Sequence, residues 1–131
     1  MNFKSPLLIL VAAGIGTGEP VDFARDVHPI LVARCSSCHN GDRGQGGLSV
    51  NTRAELLKGG SSGPAIVAGD SAGSMLIRRV TGKLLPRMPM SGQPLSSAEI
   101  ATLSAWVDAG AVWTPSTTLT SRKAPLALRK P

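Results

Sequence analysis

The five residues Cys35-Ser36-Ser37-Cys38-His39 constrain this chain more than any other stretch. They spell C-x-x-C-H, the attachment signature for a c-type haem. The chemistry explains the spacing. Two thiols one helix-like turn apart reach the two vinyl groups on one edge of a porphyrin, and the next residue presents an imidazole to the iron. Cys35 and Cys38 are therefore the candidate thioether anchors and His39 the candidate proximal iron ligand. The opposite iron face is left for a second ligand, whose identity largely sets the redox behaviour. Three other readings compete. A thioredoxin-like dithiol needs a βαβ context that the pattern lacks. A zinc site wants four ligands. Only Cys35, Cys38, His28 and His39 are on offer, with His28 just before Pro29. A plain Cys35–Cys38 disulfide is the third.

Residues 1–18 read as a secretory signal. Lys4 gives the positive start, Leu7 to Ile15 is apolar, and small residues such as Ala12, Ala13, Gly16 and Gly18 offer cleavage points. The apolar run is about half of the roughly 20 residues a spanning helix needs. Export to the periplasm or cell envelope is the expectation, and it agrees with bacterial haem attachment outside the cytoplasm. Residues 19–114 form one expected domain. Residues 115–131 read as a basic tail or linker rich in Pro, Ser and Thr.

The whole chain of 131 residues carries a net charge of +6, but residues 19–119 hold nine basic against eight acidic side chains. The excess sits in Lys4, Arg122, Lys123, Arg129 and Lys130. No basic stripe with interleaved aromatics marks a nucleic-acid site. With 15 glycines, 10 prolines and no tyrosine, the domain has few bulky side chains to fill a core. A haem supplies the missing apolar centre.

The periodicity is helical throughout. Phe23, Val27, Ile30 and Leu31 make one apolar face over Asp22 to Cys35, with Pro29 either kinking or starting the helix. Gly41 to Leu48 reads as loop. Ser49 or Asn51 is the expected cap of a short helix ending at Gly59-Gly60, and Asp70 or Ser71 of another closed by Gly82. Ser96-x-x-Glu99 is a capping box ahead of Ile100, Leu103, Trp106 and Val107, with Gly110 suited to end the helix. The expected fold is small and all-α, wrapped around a covalently attached haem.

Pro86-Arg87-Met88-Pro89-Met90 is the second stretch with chemistry in it. A residue before proline is held extended, so Met88 sits on a stiff loop suited to a weak thioether–iron bond. Methionines are also plastic core filler, and in an extended loop Met88 and Met90 point to the same side. Met90, before Ser91-Gly92, has the looser context.

Together these stretches resemble the planctomycete-type cytochrome c domain, a branch of the class I cytochromes c. The resemblance rests on Phe23 to Leu31 leading into Cys35-Ser36-Ser37-Cys38-His39, and on Gly46-Gly47-Leu48 and Gly63-Pro64-Ala65-Ile66-Val67. It continues through Leu76-Ile77-Arg78-Arg79-Val80, Arg87-Met88-Pro89 and Trp106-Val107-Asp108-Ala109-Gly110-Ala111. It implies one covalent haem c whose iron is held by His39 and Met88, with Met90 the alternative distal ligand. It also implies single-electron transfer to redox partner proteins, and packing of the first helix against the last. No nucleic acid, no small-molecule substrate and no membrane contact except through partners is expected. The chain is read as an electron carrier and not an enzyme, either free-standing or as the haem domain of a larger redox protein. The competing class is a gas sensor or peroxidase-like domain whose distal methionine leaves on demand.

Overall fold

The computed structural model describes residues 19–114, so the expected signal and tail lie outside the described residues. These residues are all-α, with only isolated bridges between Gly60 and Gly63 and between Val67 and Asp70. Four α-helices are joined by turns: α1 His28–Arg34, α2 Arg53–Lys58, α3 Met75–Val80 and α4 Ser97–Asp108. Among the described residues no helix is long and apolar enough to cross a membrane.

The first segment resolves its proline by changing pitch. A π-helical turn, Phe23–Val27, opens with the Asp22 carboxylate accepting from the Arg25 amide, and the His28 amide donates to the Phe23 carbonyl. Pro29 then falls in the first turn of α1. Its missing N–H costs nothing there. A wide π turn ahead of a tight α-helix lets the apolar face run on. Phe23, Val27 and Leu31 are all buried as a result.

The short helices start where the sequence pointed only approximately. The cap of α2 is Thr52, whose Oγ1 accepts from the Glu55 amide at 3.2 Å, and not Ser49 or Asn51. Those two are buried and committed elsewhere. Ser49 Oγ accepts from the Gly41 and Asn51 amides, and Asn51 Nδ2 donates to Asn40 Oδ1 at 2.9 Å. Likewise α3 begins after Ser74, because Asp70 and Ser71 are used in the turn before it. Asp70 Oδ1 accepts from the Gly73 amide, while Ser71 donates through its amide and hydroxyl to the Asp108 carboxylate. Both branches of the Ser96–Glu99 capping box form.

The core joins the two ends of the domain. Phe23 lies 5.7 Å from the Trp106 ring and stacks on Trp113 at 4.0 Å, centroid to centroid. Trp106 is 1% exposed and its indole N–H donates to the Val112 carbonyl at 2.8 Å. The polar edge of a buried indole is thereby satisfied. Val27, Leu31, Leu103 and Val107 share one buried core, in which α4 packs on the π turn and on α3. Arg53, from α2, donates to the carbonyls of Gly110 and Ala111 and fastens the end of α4.

Candidate functional site

Cys35 caps the C-terminus of α1, its amide donating to the Leu31 carbonyl at 3.1 Å. The chain then makes one further turn, in which the His39 amide donates to the Cys35 carbonyl at 3.0 Å. That turn sets the two cysteines one helical turn apart along the backbone, as the motif requires. Both cysteines are free thiols. Burial pushes the Cys35 thiol up to about 11, so it stays protonated near neutral pH.

His39 is oriented by a backbone group. Its Nδ1 lies 2.9 Å from the carbonyl oxygen of Gln45. A carbonyl only accepts, so Nδ1 carries the proton and Nε2 presents its lone pair. The glycine-rich loop makes this possible. The Gln45 amide donates to the Cys38 carbonyl at 2.8 Å. The next residue, Gly46, sits at φ 65°. Side chains disfavour that backbone conformation.

Two adjoining cavities meet at this turn. The first, about 790 Å³ out to its open mouth, is largely apolar, walled by Leu48, Val50, Ala65, Leu76 and Val80 among others. The second, about 890 Å³ on the same measure, runs past Cys35 and Cys38 to Pro89 and Leu95. Cys35, His39, Gln45, Val80 and Met88 border both, so the cavities are two lobes of one cleft. Among the described residues, Arg79 brings the only guanidinium to the apolar lobe.

The two methionines part company. Met88 is partly buried against the core and its amide donates to the Arg79 carbonyl at 3.0 Å. Met90 is 69% exposed and borders the second lobe alone. The loop runs through successive bends over residues 88–92, so it is not the plain extended strand that would turn both side chains the same way. The peptide bonds Leu85–Pro86 and Met88–Pro89 are cis.

The donor set therefore fits a haem c. Two thiols at the C-x-x-C spacing, an imidazole with its Nε2 bare, and a thioether all lie on one cleft with an apolar wall. Zinc, which wants four ligands, is poorly served. Among the described residues no three His, Cys, Asp or Glu side chains gather as a metal group. His28 lies off the cleft, edge-on to Phe23 at 6.0 Å.

The family described as planctomycete cytochrome C matches residues 35–92, from the first thiol to just beyond the methionine loop. This segment belongs to that family. No curated protein matches the chain. Among solved structures, a chain of Kuenenia stuttgartiensis hydrazine synthase is similar, at 26% identity and a TM-score of 0.48. The likeness covers 71% of this chain and 16% of that one, so the chain spans a small part of that protein's length. The cytochrome domain owes three features to residues that local patterns do not single out. Gln45 contributes only a carbonyl, and its neighbouring glycines are the available signal. Arg34 and Arg79 act through contacts that no spacing rule reaches.

Proposed function

We propose that this chain is a c-type cytochrome that carries one covalent haem and passes single electrons between partner proteins. The observation that carries the reading is that His39 and Met88 both border the two lobes of a single cleft, with Cys35 beside them. Cys35 and Cys38 would anchor the porphyrin edge. His39 would offer Nε2 to the iron, its ring held by the Gln45 carbonyl, and Met88 would offer its sulfur as the second ligand. A haem held in this way supplies a ferric–ferrous couple. Arg79 lines the apolar lobe and would pair with a carboxylate of the haem, and its guanidinium also donates to the Pro86 carbonyl at 3.3 Å. The apolar walls would limit the water around a bound haem, and so the reorganisation when its charge changes.

With His39 and Met88 both on offer as iron ligands, a carrier is favoured over a sensor or peroxidase-like domain. The placement of His28 beside Phe23 supports this, because it puts no second imidazole at the cleft. The electron partners are redox proteins, and the work is done in the periplasm or at the cell envelope after removal of a signal near residue 18. The test is spectroscopic. Protein made with a haem-maturation system should keep its haem through acidified organic solvent, and carbon monoxide should leave the ferrous spectrum unchanged at neutral pH. Haem that extracts freely overturns the covalent attachment, and a large carbon monoxide shift overturns the carrier.

A further inference from the structure

After Met88 the chain runs to Ser96 with little to hold it. Among the described residues, no backbone-to-backbone hydrogen bond involves residues 89–95. Two anchors close this loop from below. Leu95 is buried in the core, and Arg34 reaches across from the last turn of α1. Arg34 Nη2 donates to the Pro94 carbonyl at 2.9 Å and lies 3.4 Å from Glu99 Oε1, while Nε stands 3.3 Å from Glu99 Oε2. The same carboxylate accepts the Ser96 amide at 3.0 Å as half of the capping box. One ion pair thus links the residue next to Cys35, the start of α4 and the end of the methionine loop. The two side chains are only 24% and 27% exposed. Salt therefore screens the contact less than it would a surface pair. Arg34 also borders the cleft lobe that holds both cysteines.

We propose that Arg34, through Glu99 and the Pro94 carbonyl, is the positioning residue that keeps the methionine loop closed and so sets how readily an outside ligand replaces Met88. The inference rests on the His39/Met88 reading. Its logic is that of a minor open state. An external ligand binds only when Met88 is off, so its apparent affinity rises in proportion to the open fraction. A loop with no backbone bonds of its own opens locally at low cost, and its few tethers fix that cost. Upstream, the Met88 amide is held to α3 through the Arg79 carbonyl, so losing the downstream tether frees the loop without detaching its start.

The experiment uses the full chain with its haem attached. Ferric wild type, Arg34→Gln, Arg34→Lys and Glu99→Gln are titrated with imidazole at neutral pH and followed at the near-infrared sulfur-to-iron band. Val107→Ala, whose side chain is fully buried in the core, serves as a destabilised control. Arg34→Gln should show the band without imidazole but bind imidazole about tenfold more tightly, ~1.4 kcal/mol. Arg34→Lys should fall between it and wild type. Glu99→Gln, which keeps a capping group and the Arg34–Pro94 bond, should rise by a smaller factor, and it decides the matter alone if Arg34→Gln does not fold. The proposal is overturned if these variants bind imidazole as wild type does, or if Val107→Ala shows the same gain. A wild type that lacks the band sinks the Met88 ligation itself, and this inference with it.

Discussion

The carbonyl of Arg79 accepts the amide of Met88 at 3.0 Å, so the last turn of α3 holds the candidate iron ligand by its own backbone. The side chain of the same residue borders the apolar lobe and braces Pro86. One residue thereby joins a charge, a loop and a ligand.

Met88→Ala should abolish the near-infrared sulfur-to-iron band and lower the reduction potential. Met90→Ala should leave both close to wild type, since Met90 is 69% exposed. Survival of the band in Met88→Ala with loss in Met90→Ala reverses the assignment.

Arg79→Gln should lower the reduction potential with the sulfur band intact. Removing the guanidinium from the apolar lobe makes the ferric state, which carries the extra positive charge, easier to reach. Redox titration of the two proteins reads this directly, and an unchanged potential removes Arg79 from the site.

Trp106→Ala should cost about 3–5 kcal/mol, the usual loss for a truncated core aromatic. Each kcal/mol shifts the midpoint of a domain of this size by roughly 4–8 °C, so thermal unfolding should fall by more than about 10 °C. A variant of unchanged stability but slower electron transfer would make Trp106 a relay instead.

Gly60→Ala should damage the cleft wall. A Cβ there would run into the Gly46 carbonyl oxygen and stand 3.0 Å from the Leu48 amide nitrogen, both backbone atoms that cannot swing away. A cost of about 1–3 kcal/mol, as for other overpacked sites, is expected in denaturant unfolding. Gly46→Ala, whose new Cβ meets open space but whose φ of 65° is unfavourable, should show a smaller loss.

Acid should act through Glu99. The hydrogen bond from the Ser96 amide, and to a lesser degree the Arg34 guanidinium, holds its carboxyl below the ordinary value. A depressed folded-state pKa contributes stability that is full above the unfolded value, about 4.3, and lost as pH falls through the folded one. Glu99→Gln should therefore be less stable than wild type at neutral pH, and the gap should close on acidification below about pH 4. A gap that persists at low pH would mean the carboxylate's charge contributes nothing.

Much of this was legible in the residues. The Ser96/Glu99 capping box and the stripe through Leu103 and Val107 are local patterns, and α4 forms where they placed it. The C-x-x-C-H spacing led to the cleft because its chemistry is carried by residue type. What escaped was settled by competition among neighbours. Thr52 caps α2 because Ser49 and Asn51 are drawn to the turn around Gly41 and Asn40. The π turn ahead of Pro29 answers a clash whose remedy the sequence leaves open between kink and fresh start. The Arg34 tether joins residues 60 and 65 positions apart, and such pairings exist only once the helices have packed.

The stack of Phe23 on Trp113 brings together residues near the two limits of the described region. The polypeptide consequently enters and leaves the domain at one doorway, and neither ring borders the cleft. Such a unit can be spliced into a longer protein like a bead threaded through a single hole, with its neighbours attached side by side and the cleft left uncovered.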